Sequence, residues 1–130
     1  NSDIKTPDDL TGKKIGTQMG TTGYIYCSDT PENGGYGEEN VIGYDSGITA
    51  VQALLNGQID AVVIDGEPAK SYVASNPGLK ILDTEWLTED YAIGFAKNNT
   101  ALAEAINNAL AELTKDGTVQ NIIDKYIKAD

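Results

Sequence analysis

At 130 residues the chain is long enough for one domain, whose core takes about two thirds of the unfolded surface out of water. Nine basic and twenty acidic residues give a net charge of −11, a field that repels nucleic-acid phosphates and anionic lipid headgroups, so neither is an expected partner. Histidine is absent and every cation is a lysine, which excludes a Ser-His-Asp or Cys-His site, removes the commonest zinc ligand and denies the chain the guanidinium fork that clamps a carboxylate. Cys27 is the only cysteine, so it forms no internal disulfide and reads as a small buried or half-buried thiol. The opening NSDIKTPDDL has no basic or apolar leader, and no window approaches about 18 apolar residues, so neither signal peptide nor membrane span is expected within it.

Short apolar runs alternate with helical periodicity, the rhythm of βαβ units, and this predicts an α/β fold with a mostly parallel sheet and flanking helices. After a polar lead containing Pro7 and Gly12, Lys14 to Gln18 reads as a strand, and a helix begins near Thr22 and ends near Pro31. The stretch 32–40 holds three glycines and three glutamates without apolar anchors and is expected to be a mobile surface loop. Val41 to Tyr44 is a second strand. Asp45 and Ser46 are capping candidates for a helix with Ile48, Val51, Leu54 and Leu55 on one face, which Gly57 ends. Ala61 to Ile64 is an unbroken apolar run, suited to the middle of a parallel sheet. Pro68 suits the first position of a helix reaching about Ser75, where Asn76, Pro77 and Gly78 stop it. Leu79 to Leu82 and Tyr91 to Ala96 read as further strands. Two helices close the chain: one capped by Thr100 with a stripe at Leu102, Ile106, Ala109, Leu110 and Leu113, the other from Thr118 with Val119, Ile122, Ile123, Tyr126 and Ile127.

The first strand runs into TQMGTTGYIY, so Gly20 and Gly23 flank two threonines where a strand becomes a helix. Glycine permits close backbone approach, and the N–H groups of a helix's first turn attract an anion. The competing reading is that Thr21 or Thr22 only caps the helix. A nucleotide loop fits worse, because GTTG lacks the Walker lysine and Gly16, Gly20 and Gly23 have neither fingerprint spacing. Asp65 ends the third strand, and parallel strands each followed by a helix bring their C-terminal ends to one sheet edge. Thr22 and Asp65 therefore share a crevice with donors on one side and a carboxylate on the other, which suits a ligand carrying an anionic and a cationic group close together, as a free α-amino acid does. Capping of the following helix competes for Asp65 as well. Asp29, Asn33 and Gly34 fit three positions of a calcium loop, but Pro31 and Asn40 occupy positions that need ligands, so no metal is expected. Asp60 organises the turn into its strand, and Glu85, Glu89 and Asp90 read as a solvated acidic run.

These residues resemble the extracellular solute-binding proteins of family 3, which serve polar amino-acid ABC transporters and have the type II periplasmic-binding-protein fold. The resemblance runs from DLTGKKIGTQMGTTG through VQALLNGQIDAVVIDGEPAK to EDYAIGFAKNNTALAEAINNALAELTKDGTVQNIIDKYI and leaves only the loop at 32–40 as individual. It implies that residues 5–90 form the second, ligand-closing lobe, that 91–97 form the return crossing, and that 98–130 form helices packing on a first lobe. That lobe and its entry strand would precede Asn1 and would supply the missing arginine and an aromatic shelf. Gln18, Gly20, Thr21 and Thr22 match the family's loop at the ligand carboxylate and side chain, and Asp65 matches the acid that receives the α-amino group.

The resemblance implies a non-enzymatic protein without a cofactor. It would capture a small polar amino acid by lobe closure and present it to an ABC permease, outside the cell or in the periplasm, secreted or lipoprotein-anchored in its full-length form. With their family partners absent, the C-terminal helices and the strand at 91–96 are expected to pack against a second copy. Two alternatives share the architecture. One is an amino-acid-sensing receptor domain; the other is a cyclohexadienyl-dehydratase-like enzyme, against which the lack of histidine counts.

Overall fold

The computed structural model describes residues 2–83 and 86–126, so Glu85 and Ile127 lie outside the described residues. The chain forms two compact units, one running to Trp86 and the other starting at Leu87.

The first unit opens with a 3-10 turn at Pro7–Leu10 held by a capping box, in which Asp9 Oδ2 accepts the N–H groups of Lys5 and Thr6 at 3.0 Å each. Those two bonds hold the Asp9 carboxyl below its ordinary range. The turn delivers Leu10 into the core beside Ile4. Three βα steps follow in the predicted order: β1 (Ile15–Gln18), α1 (Thr22–Ser28), β2 (Val41–Tyr44), α2 (Gly47–Leu55), β3 (Ala61–Val63) and α3 (Gly66–Ser75). The strands are parallel and ordered β2-β1-β3, with Ile15 opposite both Val41 and Ala61.

The pleat sends alternate residues of β1 to opposite faces. A Cβ on Gly16 would meet Ile59, Tyr44 and Ala50, so that face belongs to α2. Ile15 and Thr17 point the other way, where Ile15 packs with Cys27 of α1, Val41, Leu10 and Ile4. The helices lie on opposite faces because the chain leaves β1 first toward β2 and then returns past it to β3, and right-handed crossovers in opposite directions place their helices on opposite sides. Thr17 is fully buried and its hydroxyl has no hydrogen-bond partner within the protein, a local cost of about 1–3 kcal/mol.

Cys27 is fully buried, and desolvation of its thiolate raises the thiol from 9.0 to about 12. It is therefore an inert core group in the folded chain. Below pH 9 both folded and unfolded thiols are protonated; above it only the unfolded thiol ionises until the folded pKa is reached. The stability that burial of the neutral thiol carries is thus present below pH 9 and lost between pH 9 and 12. Denaturant titrations across this range should show a shallower alkaline decline in Cys27→Ala than in the wild type; equal slopes would remove the thiol as the cause.

Several expectations are corrected. The apolar run ending in Ile64 forms not the middle strand but β3, at the edge of the sheet among the described residues; its residues are half-buried, and β1 takes the middle because its residues pair on both sides. An apolar run reports burial, not rank in a sheet. Leu79–Leu82 holds only a single bridge from Leu79 to Pro77, and Tyr91–Ala96 forms no strand, because an extended segment becomes a strand only where a neighbour supplies its ladder. α3 begins at Gly66 rather than Pro68; proline is tolerated in the first turn, where N–H groups need no intrahelical acceptor.

The loop at 32–40 is not an unanchored segment. Tyr36 donates its hydroxyl to the Pro7 carbonyl at 3.0 Å and its N–H to the Cys27 carbonyl at 2.8 Å, and its ring packs on the core. Two 3-10 turns, Pro31–Asn33 and Glu38–Asn40, fold the rest.

In the second unit, α4 (Thr100–Lys115) and α5 (Thr118–Tyr126) follow one another across Asp116 and Gly117. Asn99 takes the N-cap position and Thr100 is the first helical residue, so the predicted cap is displaced by one. The Thr118 side chain, and after it the Thr118 N–H that donates to Asp116 Oδ1 at 2.9 Å, hold the Asp116 carboxyl below its ordinary range. The predicted stripes exist as helices, but Leu102, Leu110, Leu113, Ile122, Ile123 and Tyr126 remain exposed.

Candidate functional site

The three parallel strands end on one edge, with the turn after β1 between the ends of β2 and β3. From β1 the chain moves to one side and then to the other, so the topological switch point lies between β1 and β3, where α/β sheets open a crevice. Neighbouring strands are about 4.8 Å apart, so the Gly20–Thr22 turn and Asp65 follow the ends of adjacent strands, β1 and β3.

Gln18 closes β1 half-buried, and its carbonyl receives both the hydroxyl of Thr21 at 2.7 Å and the Thr21 N–H at 3.3 Å. This tight reversal requires the left-handed conformation of Gly20, at φ 78°, and a Cβ there would meet nothing within 4 Å. The backbone is therefore open on that side. Met19 N–H donates to the Tyr44 carbonyl at 2.8 Å and extends the β1–β2 ladder by one step.

Thr21 is the N-cap of α1, and its Oγ1 accepts the Tyr24 N–H at 3.3 Å. The capping reading thus holds for Thr21, whose hydroxyl is engaged by Gln18 and Tyr24. Thr22 is the first helical residue, half-buried, and its amide and that of Gly23 belong to the first turn, where no intrahelical acceptor exists. The donors that α1 offers at this edge include these two amides and the Thr22 hydroxyl. A Cβ on Gly23 would sit at ordinary van der Waals distance, 3.5 Å from Val63 Cγ1 and 3.6 Å from the Val63 carbonyl oxygen, so the start of α1 lies beside the end of β3.

Asp65 is exposed at the N-cap position of α3, but its side chain makes no capping bond to that helix. Ser46 differs, since it caps α2 by accepting the Thr49 N–H at 3.4 Å, and Asp45 does not cap. Glu67, in the first turn of α3, forms an ion pair with Lys70. Asp60 lies at the opposite end of the sheet and accepts the Lys14 N–H at 2.8 Å, the turn-organising part expected of it. Asp29 accepts Asn33 Nδ2 at 3.0 Å and the Thr30 N–H at 2.7 Å, which lowers its pKa and spends its acceptors on the loop itself. Among the described residues no group of three or more His, Cys, Asp or Glu is placed to hold a metal ion.

Fold and sequence place a donor turn after β1 and a carboxylate after β3, at the C-terminal ends of neighbouring parallel strands beside the switch point of the sheet. The family model "Bacterial extracellular solute-binding proteins, family 3" matches residues 13–129, and the chain belongs to that family. It is 36% identical over 127 residues to ABC transporter arginine-binding protein 1 of Escherichia coli (strain K12), a match covering 94% of this chain and 50% of the relative. To L-cystine-binding protein TcyJ of the same organism it is 34% identical over 128 residues, covering 98% of this chain and 46% of the relative. The P235GK mutant of ArgBP from T. maritima superposes with a TM-score of 0.82 at 38% identity, covering 97% of this chain and 53% of that one. The chain thus spans about half the length of the curated relatives it matches.

Sequence reasoning passed over Met19, which is 60% exposed in the turn that follows β1. Tyr36 holds a loop that composition alone marked as unanchored; a lone aromatic among glycines was the signal available.

Proposed function

We propose that this chain is the ligand-closing half of an ABC-transporter substrate-binding protein that captures a small polar amino acid between two lobes. Residues 5–90 act as the second lobe, 91–97 as the return crossing, and 98–130 as helices that pack on a first lobe. The observation that carries the reading is the pairing, at one switch point, of free first-turn donors at Thr22 and Gly23 with the carboxylate of Asp65, which makes no capping bond to its helix. The turn receives the ligand carboxylate, with Gln18 and Gly20 shaping its wall, and Asp65 receives the α-amino group. Relatives named for arginine, cystine and histidine support an amino acid as the ligand class.

The work done is closure, not bond making: no nucleophile–base pair is part of this site, and absence of prephenate turnover is the expected assay result. In the intact protein the complex would be presented to an ABC permease from a secreted or lipoprotein-anchored position outside the cell or in the periplasm.

Affinity divides between the lobes. One charge-assisted hydrogen bond at Asp65 contributes about 1.5–3 kcal/mol and the turn a comparable share, whereas micromolar binding needs about 8 kcal/mol net. Isothermal calorimetry of the 130-residue chain with amino acids is expected to give millimolar dissociation constants or no heat. Micromolar binding by the monomer would overturn the division of labour.

The exposed apolar residues of α4 and α5 favour one further reading, a homodimer formed through these helices. Light scattering should show mass rising toward a dimer with concentration; a strict monomer at high concentration would reject it.

A further inference from the structure

Two Asn-Gly bonds occur in the chain, Asn33–Gly34 and Asn56–Gly57. An asparagine followed by glycine is open to an internal reaction, because glycine has no side chain to shield its backbone nitrogen from the asparagine amide carbon. Asn33, Gly34, Asn56 and Gly57 are all exposed, so water reaches both bonds.

The backbone holds the two sites alike. Asn33 N–H donates to the Thr30 carbonyl at 3.0 Å and Gly34 N–H to the Pro31 carbonyl at 3.1 Å; Asn56 N–H donates to the Gln52 carbonyl and Gly57 N–H to the Leu54 carbonyl, both at 3.0 Å. The residue after each glycine is bonded as well, Gly35 N–H to the Thr30 carbonyl and Gln58 N–H to the Ala53 carbonyl, again at 3.0 Å. Each glycine nitrogen must leave its hydrogen bond by a local opening before it reacts, and that cost is shared. The side chains differ. Asn33 Nδ2 donates to Asp29 Oδ1 at 3.0 Å, the bond that does most to hold the Asp29 carboxyl below its ordinary range. Among the described residues nothing bonds the Asn56 side-chain amide. The Asp29 bond keeps the Asn33 amide carbon from swinging toward the Gly34 nitrogen. It also draws electron density from Nδ2 into the amide, which makes that carbon a poorer electrophile.

We propose that Asn56–Gly57 is a site of spontaneous modification by deamidation, and that Asp29 protects Asn33–Gly34 from the same reaction. The Gly57 nitrogen gives its proton to water and attacks Asn56 Cγ. The new N–Cγ bond forms as the Cγ–Nδ2 bond breaks, and Nδ2 takes a proton from water and leaves as ammonia. Water then adds to one of the two carbonyls of the cyclic imide and opens it to aspartate or isoaspartate. Water is the only co-reactant.

Asn56 ends α2, and because α2 runs against the strands this end lies beside the start of β3, away from the ligand edge. The proposal is therefore independent of the ligand-binding reading. The product acts on packing. Isoaspartate adds a backbone carbon just ahead of Ile59, which is 3% exposed and whose δ-methyl occupies the space in front of Gly16. Either product also places a negative charge at the carbonyl end of a helix, where the dipole disfavours it.

Folded protein kept in neutral buffer below its melting temperature, sampled over time and digested, reports each Asn-Gly bond separately by peptide mass spectrometry, through the mass gained when an amide becomes a carboxyl. Conversion at Asn56 should outrun that at Asn33 by about tenfold or more, the factor carried by one charge-assisted hydrogen bond. Chain held unfolded in denaturant is the reference, in which both bonds should convert at comparable rates. In folded Asp29→Ala, Asn33 should rise into the range of Asn56 while Asn56 keeps its wild-type rate. Asp29→Asn keeps an acceptor oxygen without the charge and should give an intermediate rate at Asn33.

Conversion at Asn56 no faster than at Asn33 in the folded wild type would overturn the proposal, and so would an unchanged Asn33 rate in folded Asp29→Ala. Should Asp29→Ala fail to fold, the comparison of the two bonds in the wild type decides alone.

Discussion

Replacing Asp65 with alanine, in a protein that carries both lobes, is expected to weaken amino-acid binding by roughly 10- to 150-fold, the equivalent of about 1.5–3 kcal/mol for a charge-assisted hydrogen bond. The fold should survive the change. Asp65 is exposed and its side chain makes no capping bond to α3, so the change removes no helix cap. Asp65→Asn keeps size and an acceptor oxygen while removing the charge, and should fall between wild type and alanine. Calorimetry measures the affinities and thermal melting supplies the control. Wild-type affinity in Asp65→Ala would show that the α-amino group is received elsewhere. A loss matched by a fall in melting temperature would instead assign Asp65 to α3.

A larger effect on stability is expected at Gly35, whose backbone φ is not in the left-handed region and whose role is purely one of space. A Cβ there would collide with the carbonyl oxygen of Asp29, lie 2.5 Å from the Asp29 carbonyl carbon and 2.8 Å from the Tyr26 oxygen. All three are backbone atoms at the end of α1, so no side chain can swing aside. Relief requires the loop to move away from the helix. That movement endangers the Tyr36 N–H bond to Cys27 at 2.8 Å and the Gly37 N–H bond to Asp29 at 2.9 Å.

Gly35→Ala should therefore cost about 3 kcal/mol or more and lower the melting temperature by upwards of about 10 °C. Gly66→Ala is the matched control: a Cβ there meets nothing within 4 Å, and the helical backbone accepts alanine, so stability should hold or rise slightly. A Gly35→Ala protein within about 1 kcal/mol of wild type would mean that the loop adapts freely.

The contrast between these two glycines shows where the sequence was legible. Gly20 could be read as a reversal because it stood between a strand pattern and a helix pattern with two threonines behind it, and its left-handed backbone agrees. Gly35 could not be distinguished from Gly34 beside it, since the difference lies in the carbonyls of Tyr26 and Asp29 brought near by α1. Periodicity likewise marked β1, β2 and α2 because those segments carry their own period. It failed at 79–82 and 91–96, where an extended apolar segment without a ladder partner remains irregular.

Thr21 and Asp65 were each open between capping and binding when only neighbours in the chain could be consulted. Capping depends on whether a side-chain oxygen reaches the helix's first N–H groups, and only the folded backbone showed that Thr21 does and Asp65 does not. By itself the sequence determined the βα order, the absence of histidine and arginine, and the chemistry available at the strand ends, because local period and composition are properties of the chain. The tertiary structure decided that β1 lies between β2 and β3, that Tyr36 anchors its loop, and which donors at the edge remain unspent. Each of those depends on which distant backbone groups are brought within hydrogen-bonding or van der Waals reach, and spacing along the chain does not encode that distance.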